Sequence, residues 1–254
     1  MTIATVDAAR RTKVVSACSF DVFDTFLVRA CTTSDGVFER TYELSSLSKS
    51  CPNVSENFVQ QRIQAEARAR AHAKETRGCA EVHIGEIYAY FPFRLFGLDR
   101  SSLNELIEDE FGAELDLCRA NPEMLRQYLD MKRAGHRVGF ISDTYWNSEQ
   151  LGRLLRSCSP GLTWDFLYAS CDHGSSKSEA LFKQYLSATG PGDDIVAKHD
   201  PRFFQNAHLV VQITALYDDS IPATRLRSST IRHRLRASAQ QHLLRLTVFV
   251  LSPS

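Results

Sequence analysis

The chain has 254 residues, of which 43% are apolar and 24% charged, with 30 Lys plus Arg balanced by 30 Asp plus Glu. That length and composition suit a globular protein built as one large domain or as a core with an inserted subdomain, and zero net charge offers no global field to draw nucleic acid or an anionic membrane. Residues 1–11 lack the apolar stretch of a signal peptide, no apolar run approaches the roughly 20 residues that span a bilayer, and seven cysteines without CxxC spacing read as reduced thiols, so a cytoplasmic protein without a membrane span is expected.

Taken in order, residues 14–20 are short and apolar and predict a strand. Residues 31–117 predict an all-helical insert. Ser34 and Asp35 precede Val37, Phe38 and Tyr42. Ser55 opens a long helix rich in Ala, Arg, Gln and Glu that Gly78 ends. Ile84, Ile87, Tyr88 and Phe91 recur at helical spacing, and Ser101 or Ser102 caps a helix bearing Leu103, Leu106, Ile107 and Phe111. From Pro122 the pattern alternates. Helices are expected over 122–134, from Asn147 through Leu155, and over 178–186; strands over 138–141, 166–169, 194–197 and 209–213. Strands alternating with helices predict an α/β fold with a doubly wound parallel sheet. The expected organisation is thus a core of 14–30 and 118–218, the insert of 31–117, and a basic extension of 219–254. That extension reads either as a solvated helix face or as a docking element for an acidic partner.

Four pieces carry chemistry. Asp21 ends the first strand, where a carboxylate can attack an electrophile or bind a metal, or simply cap a helix. Thr25 follows four residues later with a hydroxyl that can orient a substrate oxygen. Ser142 ends the 138–141 strand, where a hydroxyl beside backbone N–H groups can hold an anionic oxygen. Lys177 opens a helix and can neutralise both Asp21 and a bound anion, while Asp200 ends a later strand as a second carboxylate suited to Mg²⁺. Around them, Tyr145 and Trp146 read as packing or as pocket walls. His173 and His199 read as loop residues or as general bases. The Arg62, Arg68, Arg70 and Arg77 series reads as a solvated helix face or an anion-recognition face.

The order of these pieces, with Phe20-Asp21-Val22-Phe23-Asp24-Thr25-Phe26-Leu27-Val28-Arg29 and Gly139-Phe140-Ile141-Ser142-Asp143-Thr144-Tyr145, resembles the haloacid dehalogenase superfamily over roughly residues 14–200. It looks like the hydrolases of that superfamily that carry Phe-Asp-Val-Phe-Asp-Thr and Ile-Ser-Asp-x-Tyr motifs, some of them joined to glycosyltransferase modules. The resemblance implies a Rossmann-like core with an inserted cap that closes the site and reads the substrate. It implies Asp21 as nucleophile and Lys177 as charge support. It implies Thr25, Ser142 and Asp143 as substrate-binding groups, and Asp21, the Phe23 carbonyl and Asp200 as ligands of Mg²⁺. A small phosphorylated molecule is the implied substrate.

The sequence departs from that pattern twice. Phosphatases of the superfamily place an Asp two residues after the nucleophile as general acid, a role typically worth 10²–10⁴-fold. Here that position is Phe23, and Asp24, one residue on, is the substitute. The terminal acidic motif keeps Asp200 but has Phe204 and Gln205 where its second carboxylate is expected. Three expectations follow: Mg²⁺-assisted phosphate ester hydrolysis; a dehalogenase-like reaction, whose leaving halide needs no proton; and a catalytically impaired binding or accessory module of sugar or surface-polymer metabolism.

Overall fold

The computed structural model describes residues 17–198 apart from 32, 34, 182–183, 186–187 and 189–194. Its centre is a four-stranded parallel sheet formed by β1 (Ala17–Phe20), β4 (Arg137–Ser142), β5 (Leu167–Ala169) and β6 (Ile195–Lys198), in the order β5-β4-β1-β6. The register sets Phe20 beside Phe140 on one side and beside Lys198 on the other. All four residues of β1 are buried, as are five of six in β4; strands covered on both faces read as continuous apolar runs rather than alternating ones. Helices α6 (Pro122–Arg133), α7 (Ser148–Cys158) and the short α8 (Ser170–His173) connect successive strands. The chain proceeds outward from β1 to β4 to β5 and then crosses back to β6 on the far side of β1. That reversal is the topological switch at which open α/β sheets place their ligands. The α/β parallel-sheet class is therefore observed. The 209–213 strand and the 219–254 extension lie outside the described residues.

A two-stranded antiparallel ladder, β2 (Leu27–Arg29) with β3 (Cys118–Ala120), brackets the segment between β1 and the rest of the sheet. Between its strands run α1 (Gly36–Leu44), α2 (Leu47–Ser50), α3 (Ser55–Arg77), α4 (Ile84–Ala89) and α5 (Leu103–Leu117). On α3 the buried positions Phe58, Arg62, Ala65, Ala69 and Ala73 recur every three or four residues. The alanines let neighbouring helices approach closely, and Gly78 ends the helix with φ 74°, a conformation that carries little strain only without a Cβ.

Arg62 is the surprise of that stripe. The expectation of a solvated or anion-reading face is corrected for Arg62, which is 0% exposed, while Arg68 and Arg77 are exposed as a solvated face requires. Its guanidinium forks onto Glu110 with two 2.7 Å hydrogen bonds, and Tyr88 donates to the same carboxylate at 2.8 Å. The rings of Phe38, Tyr88 and Tyr145 lie 4.6–5.4 Å from its Cζ. A planar, weakly hydrated cation is the residue that such a desolvated, aromatic-lined position accepts. Arg70 and Arg77 are likewise committed, to Glu66 and Glu86. One apolar cluster runs from Cys18, Phe20 and Phe140 of the sheet to Phe58, Ile87 and Phe91 of the insert, so the two parts share a core. All seven cysteines are free thiols.

Candidate active site

The turn after β1 follows directly from its residue pattern. Phe20, Val22 and Phe26 are fully buried. Phe26 packs edge-on against Phe140 at 4.8 Å between centroids, and Phe140 stacks on Tyr128 at 5.1 Å. With apolar anchors at both ends, the turn is pinned by Leu27 N–H donating to the Val22 carbonyl (2.8 Å), and Asn121 donates from its amide N–H to the Phe26 carbonyl (2.8 Å). Asp21 Oδ1 accepts from its neighbour Val22 N–H at 2.8 Å. Asp24, at the apex, is exposed with φ 56°, in the left-handed region that Asp tolerates better than most residues. Thr25 is buried, and Asn121 Nδ2 donates to its carbonyl.

Lys177 reaches this turn from the segment that follows α8. Its Nζ lies 2.8 Å from Asp21 Oδ1, and the residue is 5% exposed. Its backbone N–H donates to Asp143 Oδ1 at 2.7 Å, so one residue grips both carboxylates. Burial pulls the Lys177 pKa down, but Asp21 and Asp143 outweigh it and leave the ammonium above its ordinary value. Burial raises the Asp143 pKa, with Lys177 partly offsetting it. Ser142, at the end of β4, is 1% exposed, and its Oγ has no hydrogen-bond partner among the described residues. A buried hydroxyl without a partner costs about 1–3 kcal/mol, a cost that a bound acceptor would remove.

The structure thus brings Asp21, Lys177 and Asp143 together, and the register sets Ser142 on the strand beside Asp21. Asp200 and His199 lie outside the described residues. His173 is exposed against Tyr168, with ring centroids 5.2 Å apart, and Trp146 is a core residue packed on Phe111.

Two supports escaped sequence reasoning. Arg29 lies over the Phe23 ring at 4.3 Å from its centroid, and forks onto buried Glu114 at 2.9 and 2.7 Å. Its signal was faint: one arginine eight residues after Asp21, with its partner far along the chain. Ser170 Oγ accepts from Thr144 N–H at 2.9 Å and donates to Glu81 of the insert, fixing the loop that follows Ser142.

Asp21 and Asp143, two carboxylates on one lysine, offer the oxygen ligands that a hard divalent cation accepts. Asp21 and the Phe23 carbonyl would hold it, and the ion would supply charge neutralisation for an anionic substrate.

No protein-family model matches the chain, and no curated protein matches it. Among solved structures it is similar to a protein described as a dehalogenase, at 16% identity over 79% of this chain and 81% of that one, with TM-score 0.48. It is similar to L-2-haloacid dehalogenase from Xanthobacter autotrophicus at 15% identity, 72% and 69% coverage and TM-score 0.46. It is similar to the haloacid dehalogenase-like hydrolase SP0104 from Streptococcus pneumoniae at 8% identity, 74% and 76% coverage and TM-score 0.35.

Proposed function

We propose that this protein is a hydrolase of the haloacid dehalogenase type, acting on a small phosphate ester through a covalent intermediate on Asp21. The observation that carries this reading is the Lys177 Nζ–Asp21 Oδ1 pair at 2.8 Å just after β1, with the unpartnered Ser142 hydroxyl at the end of the neighbouring strand β4. A carboxylate paired with a buried ammonium suits the role of nucleophile, and an idle buried donor at the neighbouring strand end suits a developing anionic oxygen. Asp21 attacks phosphorus and the P–O bond to the alcohol breaks. Ser142 donates to a non-bridging oxygen, Lys177 offsets the charge, and water then hydrolyses the acyl phosphate to return the carboxylate. The departing alkoxide takes up one proton, and exposed Asp24 is the acidic side chain nearest in sequence to supply it.

A second reading has its own observation. At the position where a general acid is expected stands the Phe23 ring, covered by Arg29. A leaving group that departs without a proton, such as halide from a 2-haloacid, makes no demand on that position. Attack by Asp21 on the halogen-bearing carbon would then give an ester that water cleaves.

Release of phosphate from phosphorylated metabolites, and of chloride from 2-chloroacids, is measured with Mg²⁺ and with EDTA for wild type and Asp21→Asn. Phosphate release that needs Asp21 and Mg²⁺ is the expected result. Chloride release that needs Asp21 alone selects the second reading. Background rates on both panels for both proteins reject each hydrolase and leave the accessory module.

A further inference from the structure

Away from this site, mixed metal-ligating chemistry converges among the described residues at His83, Cys171 and Asp172. Their Nδ1, Sγ and a carboxylate oxygen lie within 4.8 Å of one another. His83 belongs to the insert, just before α4, and the other two belong to α8 of the core. Asp172 Oδ1 is 4.0 Å from His83 Nδ1 and 4.0 Å from Cys171 Sγ. In a tetrahedral site with bonds of about 2.0–2.3 Å, ligand atoms sit roughly 3.3–3.7 Å apart, so the two 4.0 Å pairs close by a few tenths of an ångström, and the third pair, within 4.8 Å, closes by up to about 1.5 Å. The side chains that must move have room to do so, at 45% exposure for His83 and 26% for Asp172. The geometry is otherwise held. Asp172 Oδ2 accepts from Ser148 N–H at 2.8 Å, which aims Oδ1 at the other two ligands. Ile84 N–H donates to the Tyr145 carbonyl at 3.0 Å, fixing the insert segment beside His83.

We infer that His83, Cys171 and Asp172 bind a zinc-type divalent transition metal, with three protein ligands and a fourth position open to solvent. The ion ties the helical insert to the α/β core. Thiolate, imidazole and carboxylate together favour such an ion over Mg²⁺ or Ca²⁺, which prefer oxygen alone. The Cys171 thiol donates to the Trp146 carbonyl at 3.3 Å in the metal-free molecule, and binding replaces its proton, which leaves to solvent.

The full chain, stripped with chelator, is titrated with Co²⁺ and then with Zn²⁺. The expected result is one equivalent of Co²⁺ with a thiolate-to-metal charge-transfer band and tetrahedral d–d absorption, both displaced by Zn²⁺. His83→Gln and Asp172→Asn, at solvent-reaching positions, each weaken binding by about 10–100-fold, with circular dichroism unchanged. Cys171→Ser loses the charge-transfer band and Cys79→Ser keeps it. A wild-type titration without that band overturns the inference, as does unchanged affinity in both His83→Gln and Asp172→Asn.

Discussion

Ser142 separates what this fold needs from what its site does. Its hydroxyl sits in the interior with nothing to bond among the described residues, so the folded state gains nothing from it. Ser142→Ala is therefore expected to leave stability unchanged or raise it by up to about 1 kcal/mol. Turnover should fall by about 10²-fold, the typical loss when one donor to a developing oxyanion is removed. Urea unfolding and steady-state kinetics on the same preparation check both halves. A loss of stability equal to that of an ordinary core substitution would mark Ser142 as structural.

Among the elements, β4 is the most exacting. Gly139 leaves no room for a side chain. A Cβ there would stand 2.1 Å from the Phe166 carbonyl oxygen and 2.6 Å from its ring. That carbonyl cannot retreat freely, because it accepts from Phe140 N–H at 3.0 Å. Gly139→Ala should thus cost at least the 1–3 kcal/mol typical of overpacking, read as a lowered urea midpoint or loss of soluble protein. The elements also show which signals a sequence carries. The Asn147–Gln150 capping box, Pro122 at the start of α6 and Gly78 at the end of α3 appear where turn and cap chemistry puts them, because each acts within a few residues. The β2–β3 ladder was invisible, since its three-residue strands pair across about 90 positions and neither alternates in polarity. Arg62 was misread for the same reason. Its burial depends on Glu110 and Tyr145, which only the fold brings near. The site divides likewise: Asp21 and Ser142 were legible from strand-end placement, whereas Arg29–Glu114 and Glu81–Ser170 exist only in three dimensions.

Across the whole molecule, Glu81 is one of the links between insert and core, through Ser170, and it lies 3.9 Å from Arg70 of the insert itself. Burial raises its pKa, with Ser170 and Arg70 only partly compensating. The sign follows from proton linkage. A carboxyl whose folded pKa exceeds its unfolded one carries a penalty at neutral pH, and that penalty shrinks as pH falls through the folded value. Glu81→Gln should accordingly be at least as stable as wild type at pH 7, and its advantage should narrow toward pH 5. Urea midpoints at the two pH values test this, and an advantage that widens in acid would contradict it.

The central position of β1 also shapes how the chain is born. Its partners are β4, about 120 residues downstream, and β6 beyond that. At ribosomal rates of about 5–20 residues per second, Ala17–Phe20 emerges roughly 6–25 s before any neighbour it can pair with. Throughout that interval a largely apolar strand and the adjoining Phe-rich turn stand exposed, while the helical insert, with its local contacts, is free to form first. The strand that leads into Asp21 is thus a segment exposed to nascent-chain chaperones and to misassociation between neighbouring ribosomes on one message.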